Sequence, residues 1–213
     1  TKEIVESSGY GIGVGWMDKE QLKFELQKTT DEKKLKVVKC HDYFKEVSDL
    51  ILRDKAKGIY VYRDLRDVIV SLMNKRNQNF ESIFSIEMIK SLIDHNMKWN
   101  RIETLYVSKY EEMMTNLPDE ISNIAALLEI SIDNSFVTNV AQKYSLKNQK
   151  KRISEFNYND LGTHSVDDVY DSSSLLHKDH IHSGKSKQWE TELSRYQIAS
   201  IENIAYEWLI EKD

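Results

Sequence analysis

The stretch from Gly58 to Leu72 reads GIYVYRDLRDVIVSL, and it decides the fold class of this chain. Its first part, Ile59–Tyr62, is a run of β-branched and aromatic residues without polar alternation, which is typical of a strand buried on both faces of a parallel sheet. Apolar residues at helical spacing begin at Val68, and Asp64 is in position to cap that helix. The pattern therefore predicts a strand followed directly by a helix, as in α/β proteins.

Arg63 and Ser71 lie at the end of that predicted strand and in the following helix. Ligands bind at the carboxyl edge of open α/β sheets, where Arg63 is the last side chain of the strand. A guanidinium group offers a planar fork of donors and a hydroxyl adds one more, so the two can hold one phosphate. The alternative is structural: Arg63 pairs with Asp64 or Asp67, and Ser71 bonds to its own helix backbone.

The segment Tyr62–Leu72 resembles the 3′-phosphate-binding motif of the sulfotransferases that use 3′-phosphoadenosine-5′-phosphosulfate (PAPS). In that family an arginine and a serine eight positions apart hold the 3′-phosphate of the donor, and Arg63 and Ser71 have this spacing. The resemblance implies one α/β domain with a mostly parallel central sheet flanked by helices, in a P-loop-like fold. It also implies PAPS as the donor, adenosine-3′,5′-bisphosphate (PAP) as the product, and no metal.

The composition leads us to expect a soluble protein of one domain. The chain has 213 residues, of which 31% are charged, and its formal net charge is −5. This length can bury a large core as one domain, and the negative charge argues against general nucleic-acid binding. We see no apolar run of membrane-spanning length and no signal peptide after Thr1, and the single Cys40 suits a reducing compartment. We therefore expect a cytoplasmic protein of undetermined oligomeric state.

A second strand is predicted at Leu35–His41, where Lys39 and His41 share a face if the strand continues to His41. A histidine accepts protons near neutral pH, and a lysine offsets charge on a transferring group. A histidine that caps a turn is the structural alternative. Lys39-Cys40-His41 resembles the Lys-Thr-His element of the same family, in which the histidine is the catalytic base and the lysine contacts the donor. The resemblance implies these roles for His41 and Lys39.

Two further segments resemble elements that lie near the adenine in that family. Lys109–Met113 follows a strand predicted at Thr104–Val107 and resembles a Tyr-Glu-Asp-Leu segment, whose tyrosine lies beside the adenine. Tyr110 has this position, and core packing is its alternative role. Tyr144–Lys147 resembles a Thr-Ser-Phe element, in which Ser145 is the outright match.

The segment Ile181–Trp189 (IHSGKSKQW) combines residues that can wrap backbone donors and positive charge around a phosphate. It resembles the family's C-terminal loop Arg-Lys-Gly-x-x-Gly-Asp-Trp, which closes over the 3′-phosphate. The resemblance implies nucleotide-binding roles for His182, Ser183, Gly184 and Lys185. A metal site within His177–His182, where His180 and His182 alternate as ligands might, is the alternative, but no fourth ligand at a recognised spacing accompanies this cluster.

The front of the chain does not resemble the family. Alternate glycines in Gly9–Trp16 invite comparison with a phosphate loop, but the Walker ending Lys-Ser/Thr is absent. This disfavours a nucleotide kinase and favours a flexible or substrate-facing loop. The family's N-terminal strand, 5′-phosphosulfate loop and helix have no counterpart here. We therefore expect a shortened chain with an irregular acceptor-side region at residues 1–34 and the core of a single domain at residues 35–213.

Together these features predict a sulfotransferase that moves a sulfuryl group from PAPS to a small-molecule hydroxyl acceptor, with His41 as the general base. The alternative is a non-catalytic domain that binds adenosine-3′,5′-bisphosphate and has lost the phosphosulfate loop. The acceptor cannot be identified from the sequence.

Overall fold

The computed structural model describes residues 1–9, 11–16, 34–40, 42–156, 162–165, 168–171, 176–177, 181 and 183–212. The helices in this part of the chain are α1 (Lys2–Ser7), α2 (Lys45–Leu52), α3 (Leu65–Arg76), α4 (Phe80–Ile83), α5 (Ile86–Asn100), α6 (Tyr110–Thr115), α7 (Leu117–Leu127), α8 (Asn134–Lys143), α9 (Leu146–Ser154), α10 (Trp189–Glu192) and α11 (Arg195–Lys212). The strands are β1 (Gly11–Trp16), β2 (Lys34–Lys39), β3 (Ile59–Tyr62), β4 (Tyr106–Lys109), β5 (Gly162–Ser165), β6 (Asp168–Asp171) and β7 (Leu176–His177). No described helix is both long and apolar enough to cross a bilayer.

The strands form parallel pairs with helices around them, which confirms the α/β class. β1 pairs with β2, and β3 pairs with β4, in both cases in parallel. In the second pair, Ile59 lies opposite Tyr106 and Tyr62 lies opposite Lys109. The short strands β5, β6 and β7 form a separate antiparallel sheet. Within the described residues the parallel strands are two separate pairs, whereas the sequence led us to expect one central sheet.

The front of the chain has regular structure at Lys2–Ser7 and Gly11–Trp16, and the strand at Gly11–Trp16 stands where we expected a flexible or substrate-facing loop. α1 buries Ile4 and Val5, and β1 covers the glycine-rich stretch Gly11–Trp16. The glycines alternate with apolar residues, which is the period of a strand, and the backbone of β2 supplies the pairing partner. We expected a flexible loop because of the glycines, and did not take into account the apolar residues between them.

The strand–helix unit predicted from Gly58–Leu72 is present. β3 has the predicted bounds, and Asp64 caps α3 by accepting a hydrogen bond from the backbone N–H of Arg66 at 2.8 Å. Asn77 ends the helix in the left-handed conformation, with φ at 49°. Arg63 is thus fixed in the short connection between a strand and a capped helix.

The main core packs α3 against the C-terminal helix α11. Ile69 of α3 and Ile201 of α11 are both completely buried. The buried residues around them are Leu65, Val70, Phe80, Ile83, Ile89, Leu193, Ala205, Trp208 and Leu209. Burying one large aliphatic side chain stabilises a protein by about 1.5–3 kcal/mol. This core therefore holds the end of β3 close to the segment that leads into α11.

β4 begins at Tyr106, two residues later than predicted. Leu105 is buried in a second cluster with Ile51, Trp99 and Ile102, and its backbone N–H donates to the carbonyl of Ile102 at 3.0 Å. This turn keeps Leu105 out of the strand. At the other end of β4, Tyr110 is the first residue of α6 and follows the strand directly, in the position that the resemblance implied.

Candidate functional site

Arg63 is the centre of a cluster at the carboxyl end of β3, and its side chain is only 16% exposed. The guanidinium Nη2 donates to Oδ2 of Asp67 at 3.2 Å and to the backbone carbonyl of Lys185 at 2.9 Å. Nε lies 3.9 Å from Oε1 of Glu111, and the guanidinium carbon lies 4.5 Å from the centre of the Tyr110 ring. The pairing with Asp67 that spacing alone allowed is therefore present, and it coexists with contacts to two distant segments.

Several polar atoms of this cluster have no hydrogen-bond partner although they are buried. They are Nε of Arg63, Oε2 of Glu111 and the indole Nε1 of Trp189, three of the five such atoms among the described residues. Buried polar groups are nearly always hydrogen-bonded, and each exception costs about 1–3 kcal/mol. The cluster thus offers two donors and one acceptor that a polar ligand could satisfy.

Tyr110 joins the Arg63 cluster to the C-terminal loop. Its hydroxyl donates to the carbonyl of Gly184 across 3.5 Å, a long hydrogen bond. Burial raises the pKa of Tyr110, with Arg63 opposing the shift, so the hydroxyl stays protonated as a donor. Tyr110 is half-buried with its ring against a guanidinium, and is therefore not simply a core residue.

Gly184 of the C-terminal loop lies against the segment that contains Ser145. It has a φ of 70°, and a Cβ added to it would lie 2.3 Å from Cδ1 of Leu146. The Ser145 hydroxyl itself caps α9, because its Oγ accepts from the backbone N–H of Asn148 at 3.4 Å. Leu146, and not the Ser145 hydroxyl, therefore contacts the loop.

Internal hydrogen bonds shape the loop formed by residues 183–189, which we call the 183–189 loop. The Ser183 hydroxyl donates to Oε1 of Gln188 and accepts from the backbone N–H of Lys185 at 3.1 Å. Nε2 of Gln188 donates to the Lys185 carbonyl at 2.9 Å, the same carbonyl that Arg63 binds. Lys185 is exposed, so its observed contribution to the cluster is its carbonyl.

Asp67 ties the loop to the cluster, a role that sequence reasoning missed. Its carboxylate is 0% exposed. Oδ2 accepts from the backbone N–H of Lys187 at 2.8 Å, and Oδ1 accepts from that of Trp189 at 3.2 Å. In the sequence Asp67 is only an acidic residue in a first helical turn, and nothing there marks backbone donors 120 residues away as its partners.

The Trp189 ring gives the loop a second attachment. It lies 3.8 Å from the guanidinium carbon of Arg66. Arg66 in turn forms a bidentate pair with Asp64, at 3.0 and 2.7 Å, and donates to Glu202 of α11 at 2.7 Å. Asp64 is therefore the partner of Arg66, which excludes the predicted alternative of an Arg63–Asp64 pair.

Ser71 lies on α3 about 9 Å along the helix axis from Leu65, at 1.5 Å per residue. It follows Asp67 by four positions, as Lys75 follows Ser71, so the three side chains share one face of the helix. Ser71 is half-buried. This face runs from the Arg63 cluster to the last turn of α3.

Lys39 is exposed at the end of β2, and its charge interacts with that of Lys75 on this face of α3. Partial desolvation, and then the positive charge of Lys75, lower the pKa of Lys39 from the ordinary lysine value. β2 ends at Lys39, so the predicted continuation of the strand to His41 is wrong. His41 itself, like His182, lies outside the described residues, and so their proposed roles stay predictions.

A cavity of about 380 Å³ has no residue of the Arg63 cluster in its lining. It is lined by Lys2, Glu3, Lys143, Tyr144, Asn148, Gln149 and Arg152. Lys143 pairs with Glu3 at 2.9 Å, and Arg152 pairs with Asp171. Its lining includes none of the predicted site residues, and these two cations already have carboxylate partners.

The metal alternative has no support within the described part of the chain. No three histidine, cysteine or acidic side chains there are grouped so that they could hold a metal ion. His180 and His182, the alternating pair of that proposed cluster, lie outside it.

The family model of the sulfotransferase domain matches residues 5–212, nearly the whole chain. This chain belongs to the sulfotransferase family. The amine sulfotransferase of Oryctolagus cuniculus is 25% identical over 171 residues, which cover 72% of this chain and 54% of the relative. The sulfotransferase chain described here thus spans about half the length of this curated relative.

Solved sulfotransferase-like structures share the fold. A mouse sulfotransferase, SULT7A1, complexed with PAP has a TM-score of 0.70 at 16% identity, covering 97% of this chain and 77% of its own. Retinol dehydratase in complex with androsterone and inactive cofactor PAP has a TM-score of 0.62 at 18% identity, covering 87% of this chain and 55% of its own. The resemblance inferred from the sequence is therefore confirmed for family and fold.

Proposed function

We propose that this sulfotransferase transfers a sulfuryl group from PAPS to the hydroxyl of a small-molecule acceptor. Membership of the family supports sulfuryl transfer. Neighbours of the same fold were solved with PAP, and one of them also with androsterone, a small hydroxyl compound. The observation that carries the donor assignment is the buried Arg63 cluster, with its unpartnered donors at the sheet edge.

The 3′-phosphate binds at Arg63 in this proposal. Nε of Arg63 is a charged donor without a hydrogen-bond partner, and hydrogen bonds between ions are the stronger ones. Ser71 lies on the adjacent helix face and adds a hydroxyl donor. Tyr110 and Ser145 border the adenine, while His182, Ser183, Gly184 and Lys185 belong to the loop that lies against Arg63.

Lys39 and His41 act at the other end of the donor. His41 accepts the proton of the acceptor hydroxyl, whose oxygen then attacks sulfur in line. The bond between sulfur and the oxygen of the 5′-phosphate breaks, and its electron pair leaves with PAP. Lys39 offsets the charge that develops on that leaving oxygen. Positioning and charge stabilisation supply most of the rate, as in phosphoryl transfer.

Calorimetry with PAP, followed by transfer assays with radiolabelled PAPS, tests the proposal. The acceptor panel should include steroid and retinoid alcohols together with an amine, since one relative is an amine sulfotransferase. PAP binding with labelled product supports the enzyme. PAP binding without transfer to any acceptor favours the non-catalytic bisphosphate-binding domain, and absence of PAP binding contradicts both.

A single domain and a cytoplasmic location remain part of this proposal. Cys40 is a free thiol, as is usual in a reducing compartment. Burial and the charge of Asp42 raise the pKa of this thiol, so it is largely protonated at neutral pH and a poor nucleophile.

A further inference from the structure

Asp67 carries a charge in a place where an unpaired charge would be costly. Its side chain is completely buried, and a carboxylate tolerates such burial only when it is paired and hydrogen-bonded. Its position in the first turn of α3 is favourable for a negative charge. Arg63 and the backbone N–H groups of Lys187 and Trp189 supply its three partners.

These partners belong to two elements that the chain separates widely. Arg63 holds the 183–189 loop through the Lys185 carbonyl, and Asp67 holds it through Lys187 and Trp189. Lys187 has a φ of 58°, a left-handed conformation that a lysine rarely adopts without support. The contact at 2.8 Å between its N–H and Asp67 fixes this strained residue.

We infer that Asp67 is the positioning residue of the 3′-phosphate site, because one carboxylate sets both the orientation of Arg63 and the closure of the 183–189 loop over it. This inference rests on the function proposed above. Nη2 of Arg63 is occupied by Asp67 and the loop, whereas Nε, although it lies 3.9 Å from Oε1 of Glu111, has no hydrogen-bond partner. A site whose groups already lie in place binds its ligand more tightly, because less ordering remains to be done on binding.

Because Asp67 is charged, the direction in which PAP affinity changes when this charge is removed distinguishes two possible roles of the residue. A carboxylate beside a phosphate repels it, so removing the charge should tighten binding if Asp67 only neutralises Arg63. If Asp67 positions the site, the same change loosens Arg63 and the loop, and binding should weaken. Asp67→Asn preserves shape, but its amide cannot replace the second acceptor oxygen.

The experiment compares PAP with AMP, which lacks the 3′-phosphate, by calorimetry on the wild type and Asp67→Asn. We expect the preference for PAP over AMP to fall by about tenfold or more, while AMP affinity changes little, since the variant disturbs only groups that face the 3′-phosphate. The control is Ile201→Val, a core change that lowers stability and should leave the preference unchanged.

Two other results distinguish the role of Asp67 from the proposed donor site itself. A wild type that binds PAP and AMP equally overturns the proposed donor site and this inference with it. A wild type that prefers PAP, with an Asp67→Asn variant that keeps or increases the preference, overturns only the role of Asp67.

Amide hydrogen exchange on the wild type covers the case in which Asp67→Asn does not fold. The amides of Lys187 and Trp189, which donate to Asp67, should exchange slowly and become slower still with PAP. Exchange at unprotected rates in both conditions would overturn the inference.

Discussion

In the function proposed here, Arg63 is the residue on which donor binding depends, and its replacement tests the site directly. Arg63→Ala should weaken PAP binding by about 2–4 kcal/mol, since a charged partner of a partly buried anion is lost. The change also leaves Asp67 without its counter-charge, so the melting temperature should fall as well. Calorimetry at a temperature where the variant is folded separates the two effects.

A milder change at Ser71 calibrates this result. Ser71→Ala removes one neutral donor and should cost about 1 kcal/mol of PAP affinity. Ser91→Ala, at an exposed position of α5, is the matched control and should have no effect. Unchanged PAP affinity in Arg63→Ala would contradict the assignment of the 3′-phosphate to Arg63.

The loop and α9 meet at Gly184, and this contact permits a prediction at the scale of elements. Gly184→Ala places a Cβ 2.3 Å from Leu146 in a left-handed conformation, which costs about 1–2 kcal/mol for a non-glycine residue even without a clash. We expect weaker PAP binding and faster hydrogen exchange across residues 183–189.

The double variant Gly184→Ala, Leu146→Ala relieves the clash but leaves the backbone strain. It should therefore recover part of the PAP affinity relative to Gly184→Ala alone. No recovery would mean that the strain, and not the contact with α9, accounts for the loss.

The end of β2 and the last turn of α3 interact through charge. Because the pKa of Lys39 is lowered, Lys39 loses its proton at a lower pH than an ordinary lysine does. If its charge assists transfer, kcat/KM falls as pH rises through this lowered pKa. Lys75→Gln removes the repelling charge and should move the alkaline limb to higher pH. Lys39→Arg, which stays charged, should abolish the limb, and a limb that persists in Lys39→Arg must belong to another group.

At the scale of the whole molecule, signals that act over short distances predicted the structure well. The β3–α3 unit and the Asp64 cap follow from neighbouring residues. The spacing of Arg63 and Ser71 identified the family, which the match to residues 5–212 confirmed.

Long-range partners were not predictable in the same way. Asp67 binds backbone N–H groups. Every residue except proline has such a group, so no sequence pattern shows which ones will bind a given carboxylate. The strand at Gly11–Trp16 was missed because its glycines favoured a loop, and its pairing with the distant strand β2 became visible only in the fold. The placement of the 183–189 loop on Arg63 came from resemblance, and its physical cause became visible only in the fold.

The proposed function assigns donor binding to Arg63 and proton transfer to His41, and this assignment leads to the last prediction. His41→Asn keeps a polar side chain but cannot accept a proton, so kcat should fall by about a hundredfold or more. PAP affinity should stay close to that of the wild type, because the Arg63 cluster is unchanged. In the wild type, activity should fall at acidic pH, where the His41 imidazole is protonated, since only the neutral form is a base. If His41→Asn retains most of its turnover, His41 only orients the acceptor, and His182 becomes the next candidate base.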